Sequence, residues 1–319
     1  MAGINKVLVL LPTTEEHKRL FRNAAPSAEF IFISQSELKK EIMENVDVII
    51  GNPPINLLKE AKGLKWLQLG SAGADKYVNE GILPPGTILT NSSGAYGLAV
   101  AEYMLAVLLE LFYNLHLYRD NQNHGLWKDE GNVRSIHNCV VLIAGLGDIG
   151  GEFAKRIKAL GGYTIGVRRT KRSKPDFIDE LYLTDQLDTL LPRADVVAIT
   201  LPGTRETYRL FSAERLKKMK QGAVIINTGR GTTIDTDALC DCLESGHLAG
   251  AALDVTDPEP LPAEHRLWKM KNAIITPHIA GGIHLPETFE RIIRISVENL
   301  RRYTMGEDLI NIVNPVLGY

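Results

Sequence analysis

The stretch from Cys139 to Gly161 limits what this chain can fold into more than any other. The apolar run CVVLIA passes directly into Gly145-Leu146-Gly147-Asp148-Ile149-Gly150, and GEFAKRIKALGG follows, with Phe153, Ile157 and Leu160 at helical spacing on one face before a glycine stop at Gly161. In such a strand-loop-helix unit Gly145 permits the tight turn, Gly147 lets backbone approach a pyrophosphate, and Gly150 allows the helix to lie close against the strand. The first helical turn, with Asp148 and Ile149, then offers N–H groups and a partial positive charge to the phosphates. Glycine turns after strands also serve geometry alone. Here the flanking strand, the helix and the next strand YTIGVRR are all legible, which favours a dinucleotide.

The rest of the chain repeats this alternation. Before the glycine loop, KVLVLL, EFIFI, VDVIIG, LKWLQLG and TILTN read as strands with amphipathic stretches such as SELKKEIMEN between them. After it come YTIGVRR, ADVVAITLP, GAVIINTG, LAGAALDV and AIITPH. The fold expected is α/β, with two doubly wound parallel-sheet domains. Residues 98–115, LAVAEYMLAVLLELFYNL, are apolar on nearly every side, yet they include Glu102 and Glu110 and fall short of the roughly 20 residues a bilayer needs. A buried helix over 98–118 is expected there, not a membrane span. The tail helix ETFERIIRISVENLRRYTMGE has no strand of its own to pack on, so it is expected to return to the first domain. That places one domain at 1–98 plus 286–319 and the other at 99–285, with a ligand-binding cleft between them.

Composition excludes other classes. The chain has 319 residues, enough for two domains, and 36 Lys plus Arg against 38 Asp plus Glu leave a net charge of −2. No basic field exists to bind nucleic acid. Cys139, Cys240 and Cys242 are too few and too poorly spaced for a disulfide framework or a four-ligand zinc site, so no metal is expected, and a reducing, cytoplasmic setting suits them. The apolar start before Pro12 is too short for a secretory leader.

A site for NAD should carry an acidic residue about 20 positions beyond the glycines, to hold the ribose 2′-hydroxyl. No Asp or Glu occurs between Glu152 and Asp176, and the second strand ends in Arg168-Arg169-Thr170-Lys171-Arg172. Arginine there suits a 2′-phosphate, so NADP is the sharper expectation, with Arg168 first and Arg169 and Thr170 beside it. The alternative is a solvated basic loop that accepts NAD as well.

Polar residues just beyond strands are the ones to inspect for chemistry. Arg230 follows AVIINTG, Glu259 lies in the loop after ALDV, and His278 follows AIITP. Arginine grips a carboxylate with two hydrogen bonds, and histidine trades protons near neutral pH when a carboxylate supports its charged form. Singly, each has a structural alternative: a strand-end pair, a rigid turn between prolines, a hydrogen-bonded core histidine. Jointly they make a 2-keto acid reductase plausible.

The strings GLGDIG, LPGTRET, INTGRG, AALDVTDPEPLP and TPHIAGG, in that order over 139–282, with SAGAD at 71–75 and NSSGAYGLAVAEY at 91–103, resemble the successive signatures of the D-isomer-specific 2-hydroxyacid dehydrogenases, the family that includes glyoxylate/hydroxypyruvate reductases. The resemblance implies a discontinuous flavodoxin-like substrate domain, an inserted Rossmann dinucleotide-binding domain, and a homodimer built largely on the long helix. It implies Arg230 as the substrate-binding arginine, Glu259 and His278 as the acid/base pair, and Ala72, Gly73 and Ala74 as the loop whose N–H groups receive the substrate carboxylate. It also implies Leu201, Pro202 and Thr228 as cofactor contacts and Asp254 as the partner of the nicotinamide carboxamide. The arginines after the second strand depart from the many relatives that carry an acid there and prefer NAD. Only about 40 residues follow His278, too few for the regulatory domain of many phosphoglycerate dehydrogenases.

The activity expected is hydride transfer between NADPH and a small 2-keto acid. Tyr77, Tyr96 and His284 are candidates to shape the substrate pocket, and hinges are expected near Tyr96–Val100 and Gly282–Pro286. The rival is a nucleotide-sensing, dimerising corepressor of the same fold, whose reacting groups would look alike.

Overall fold

The computed structural model describes residues 4–315 and 317–318. The chain divides into two compact units: residues up to Tyr96 together with Ile283 onward, and Gly97–Gly282.

In the first unit the order is β1 (Lys6–Val9), α1 (Glu15–Ala24), β2 (Glu29–Phe32), α2 (Lys40–Met43), β3 (Val48–Ile50), α3 (Ile55–Leu58), β4 (Trp66–Gln68) and β5 (Ile88–Thr90). The five strands pair in parallel in the order β2-β1-β3-β4-β5, the flavodoxin-like winding. The two-residue period of a strand sorts the side chains into two cores. Val7, Val9, Val48, Ile50 and Trp66 join Phe21 of α1 on one face, while Leu8, Ile49, Leu67 and Leu69 join Met43 and Leu58 on the other. Burial on both faces is why these strands read as continuous apolar runs. The start of α1 is set by a reciprocal cap, in which His17 N–H donates to Thr14 Oγ1 at 3.3 Å and Thr14 N–H donates to His17 Nδ1 at 3.2 Å.

The second unit begins with α4 (Gly97–Phe112) and α5 (Leu115–Asn123), then β6 (Val140–Ala144), α6 (Asp148–Ala159), β7 (Tyr163–Arg168), β8 (Glu180–Leu183), α7 (Leu187–Leu190), β9 (Val196–Ile199), α8 (Ala213–Lys218), β10 (Ala223–Asn227), α9 (Thr236–Glu244), β11 (Leu248–Leu253) and β12 (Ala273–Ile275). Its seven parallel strands run β12-β11-β10-β9-β6-β7-β8, so the glycine-loop strand β6 sits at the point where the winding reverses. That is the Rossmann arrangement, with one further strand at the β12 edge.

Three local expectations are corrected here. The helix expected over 98–118 breaks, because Asn114 adopts φ +56°, a left-handed conformation asparagine tolerates better than most residues, and α5 leaves α4 at a bend of 69°. No single helix among the described residues is long and apolar enough to cross a membrane. Leu160, placed on the buried face of the glycine-loop helix, is instead 46% exposed, because α6 stops at Ala159 and Gly161 turns the chain at φ +81°. And β8 was not foreseen. It is a short edge strand whose Glu180 takes Arg193 and the hydroxyls of Tyr163 and Tyr182, so charge hides the strand pattern.

The remaining helix, α10 (Pro286–Met305), belongs to the first unit and packs on α1. Its Tyr303 ring stacks on Trp66 at 5.3 Å, and Asn299 Nδ2 donates to the buried Gln68 Oε1 at 2.8 Å. Gln68 Oε1 also accepts from Thr90 Oγ1 at 2.7 Å, so its polar atoms are satisfied inside the core.

Candidate active site

The strand ends of the second unit hold the polar residues singled out in the sequence. At the end of β6, Gly145 has φ +100° and its N–H donates to Val167 O at 3.0 Å, while Thr200, just past β9, donates its hydroxyl to Gly145 O at 2.6 Å. A Cβ on Gly150 would lie 2.0 Å from Gly145 O, so only glycine lets α6 approach the strand this closely. A Cβ on Gly147, the residue capping α6, would meet nothing within 4 Å. The bare backbone of the first helical turn therefore forms an open cradle, and a pyrophosphate fits it.

Asp148 is turned the other way. Its carboxylate accepts the Gly97 N–H at 2.8 Å, and a Cβ on Gly97 would come within 2.4 Å of that carboxylate, so the glycine loop is tied to the first residue of α4. Only the backbone of Asp148 and Ile149 is left for phosphates.

At the end of β7, Arg168 is half-buried, and burial together with the neighbouring Arg172 charge pushes its guanidinium below the usual arginine value. A half-buried guanidinium beside a second, exposed one of like charge suits a dianionic phosphate group. Arg169 reaches Glu206 at 3.9 Å, in the loop after β9, and Thr170 is exposed beside it. Leu201 and Pro202 open that loop, where Pro202 O accepts the Thr207 hydroxyl at 2.7 Å. Thr228, after β10, is buried and donates to Met104 Sδ at 3.4 Å.

Arg230 stands two residues beyond Thr228. Its carbonyl accepts from Asn227 Nδ2 at 3.0 Å and Thr233 Oγ1 at 2.7 Å, and its aliphatic stem lies over Gly203, where a Cβ would be 3.0 Å away. The next residue, Gly231, runs so close to the loop after β11 that a Cβ would overlap Thr256 O at 1.9 Å. That loop carries Glu259.

Glu259 and His278, from different strand ends, meet. His278 Nδ1 lies 2.7 Å from Glu259 Oε1, with the two side chains 45% and 44% exposed. With Nδ1–H donating to the carboxylate, Nε2 is the ring nitrogen left to exchange a proton. His278 itself has φ +54°, a conformation a non-glycine residue keeps only when its surroundings impose it. Asp254 does much of the imposing. It is 3% exposed; its carbonyl accepts the His278 N–H at 2.8 Å, Oδ1 accepts Thr276 Oγ1 at 2.7 Å and Ile279 N–H at 2.8 Å, and Oδ2 accepts Ala280 N–H at 3.0 Å. Sequence reasoning gave Asp254 a cofactor role and missed this clamp, because hydrogen bonds to backbone N–H groups leave no mark in the residue pattern.

In the first unit, the loop Ala72–Ala74 is oriented by its carbonyls: Asn91 Nδ2 donates to Ala72 O at 2.7 Å and Ser71 Oγ donates to Gly73 O at 2.8 Å. Asn52 Nδ2 supports Ser71 Oγ at 2.9 Å. Two of the tyrosines considered for pocket shaping spend their hydroxyls on their own unit. Tyr77 donates to Pro53 O at 3.0 Å and Tyr96 to Gly70 O at 2.5 Å, and burial pushes the Tyr96 phenol up to about 12. His284 is exposed.

A Rossmann sheet with a bare phosphate cradle and an imidazole–carboxylate pair at neighbouring strand ends places the chain among the dinucleotide-dependent oxidoreductases. The sequence model described as D-isomer specific 2-hydroxyacid dehydrogenase, NAD binding domain, matches residues 105–280. A glyoxylate reductase of Thermofilum pendens is 34% identical over 79% of this chain and 75% of its own. A D-isomer specific 2-hydroxyacid dehydrogenase family protein from Aeromonas salmonicida superposes with a TM-score of 0.86 at 31% identity, covering 98% of this chain and 99% of that one. An NADPH-dependent glyoxylate/hydroxypyruvate reductase from Sinorhizobium meliloti, in complex with NADP and sulfate, gives 0.83 at 27% identity, covering 99% and 100%. The chain belongs to the D-isomer specific 2-hydroxyacid dehydrogenase family.

Proposed function

We propose that this protein reduces a small 2-keto acid to the D-2-hydroxy acid, reversibly, with NADPH. The observation that carries the reading is the 2.7 Å contact between His278 Nδ1 and Glu259 Oε1 at the ends of a nucleotide-holding sheet. The glyoxylate and hydroxypyruvate reductases among the relatives support a small substrate.

When bound, the reduced nicotinamide supplies a hydride to C2 of the keto acid. His278 Nε2–H gives the matching proton to the carbonyl oxygen, while Glu259 holds the ring orientation and stabilises the charged imidazole. Arg230 grips the carboxylate, with the N–H groups of Ala72, Gly73 and Ala74 as further donors, and polarises the carbonyl. Gly145, Gly147, Asp148, Ile149 and Gly150 receive the pyrophosphate on backbone. Arg168, Arg169 and Thr170 take the 2′-phosphate, and Leu201, Pro202, Thr228 and Asp254 line the remainder.

The test is NADPH oxidation with glyoxylate, hydroxypyruvate and a bulkier 2-keto acid. Steady turnover with a small acid is expected; binding of dinucleotide without turnover of any acid would return the sensor reading. Arg168→Ala is expected to weaken NADPH binding about tenfold or more and leave NADH within about twofold, read by fluorescence titration, since one charge-assisted contact contributes about 1.5–3 kcal/mol. Equal losses for both nucleotides would remove Arg168 from 2′-phosphate recognition.

The same reading includes self-association. Trp127, 106% exposed, stands beside Leu126 at 56% on the segment after α5, an apolar pair that a second copy would cover. Light scattering is expected to return twice the chain mass, and Trp127→Glu to shift it toward the single-chain mass. A monomeric wild type would refute this.

A further inference from the structure

The clamp on the His278 loop does not end at Asp254. Tyr103, half-buried near the middle of α4, places its hydroxyl 2.6 Å from Thr276 Oγ1. Thr276 Oγ1 is in turn 2.7 Å from Asp254 Oδ1. Chemistry fixes the direction of both bonds. A carboxylate only accepts, so the single hydroxyl proton of Thr276 goes to Asp254, and the Tyr103 hydroxyl must donate to Thr276. Three donors, from Thr276, Ile279 and Ala280, then converge on one buried carboxylate whose own main-chain carbonyl holds the His278 N–H.

We propose that Tyr103 is a positioning residue for the acid/base step, acting on His278 through Thr276 and Asp254. Removing the Tyr103 hydroxyl leaves Thr276 Oγ1 without its donor and frees it to rotate away from Asp254, which loosens the anchor of Ile279 and Ala280. His278 keeps its left-handed backbone only while that anchor is rigid, and sub-ångström drift of the imidazole is costly for proton transfer but not for nucleotide binding at the far glycine loop. Burial and the nearby Asp254 charge raise the Tyr103 phenol to about 12, so it remains a donor throughout the neutral range. Its site on α4 also explains why a mostly apolar helix carries a tyrosine on a face turned to the sheet.

The inference rests on the proposed role of His278, and two readouts keep the failures apart. In the wild-type holoprotein background, Tyr103→Phe is expected to lower kcat about tenfold with KM for both substrates within about twofold and Tm nearly unchanged. Amide exchange at Ile279 and Ala280, which requires no activity, is expected to quicken several-fold. Thr276→Val, a second route to the same break, should lower kcat at least as much, and the double variant should lose no more than Thr276→Val alone, since members of one chain do not add. Unchanged kcat in Tyr103→Phe beside an active wild type, or multiplicative losses in the double variant, would overturn the relay. If the wild type turns over no 2-keto acid, the reading of the reaction fails, and the exchange rates alone decide whether Tyr103 orders the loop.

Discussion

His278→Ala is expected to cut turnover of a 2-keto acid by about 10²–10⁴-fold while dinucleotide affinity stays within about twofold. The size follows from what the imidazole would supply in the proposed reaction. Without it the carbonyl oxygen must take its proton from water as the hydride arrives, and a positioned general acid is ordinarily responsible for a factor of that order. The selectivity follows from geometry: His278 is at the end of β12 and pairs with Glu259, whereas the phosphate cradle is at the end of β6, two strands beyond β10 in the sheet. The loss should appear in kcat and in kcat/KM alike, because the proton moves only in the transition state. Stopped-flow oxidation of NADPH, with nucleotide binding followed separately by fluorescence, checks both halves. A variant that retains turnover within about threefold would take His278 out of the reaction.

Gly231→Ala is expected to do the greatest damage to the fold. The added Cβ would lie 1.9 Å from Thr256 O, 2.0 Å from Thr256 C and 2.7 Å from Asp257 N, all backbone atoms that no rotamer change can withdraw. Overpacking against movable side chains costs about 1–3 kcal/mol, and a backbone obstacle puts this change at about 3 kcal/mol. For a unit of this size that corresponds to a fall in Tm of about 6–12 °C, readable by calorimetry. The displaced segments carry Arg230 on one side and Glu259 on the other, so activity at a permissive temperature should fall too. A Tm within about 2 °C of wild type would show that the two loops are not held in this contact.

Much of this architecture is visible along the chain because it depends on local periodicity. Runs such as Val48–Ile50 and Ala223–Ile226 are apolar without interruption, as strands covered on both sides require, and GLGDIG between a strand and a helix has few geometric solutions. The glycines behave accordingly: Gly145 turns at positive φ and Gly150 tolerates the strand at a distance no other residue could. The failures are equally physical. Asn114 sits inside a pattern that is helical on both sides, and nothing in periodicity records that its own backbone turns left-handed. Glu180–Leu183 offers only the short run Leu181-Tyr182-Leu183 between charged flanks, as befits an edge strand, and so does not stand out as a strand.

Residue order alone determined the two parallel sheets, the glycine loop between β6 and α6 and the basic end of β7, and it singled out Arg230, Glu259 and His278 as the candidates for carboxylate and acid/base chemistry. These follow from patterns repeating over two to four residues and from the strand ends where such patterns stop. Only the tertiary structure decided that Glu259 and His278 touch, that Asp254 spends its carboxylate on backbone N–H groups, that Asp148 faces α4, and that Tyr103 reaches the same loop through Thr276. Each of these is a contact between segments far apart in the chain, set by the register of neighbouring strands and the path of their loops, and no local period encodes such a distance.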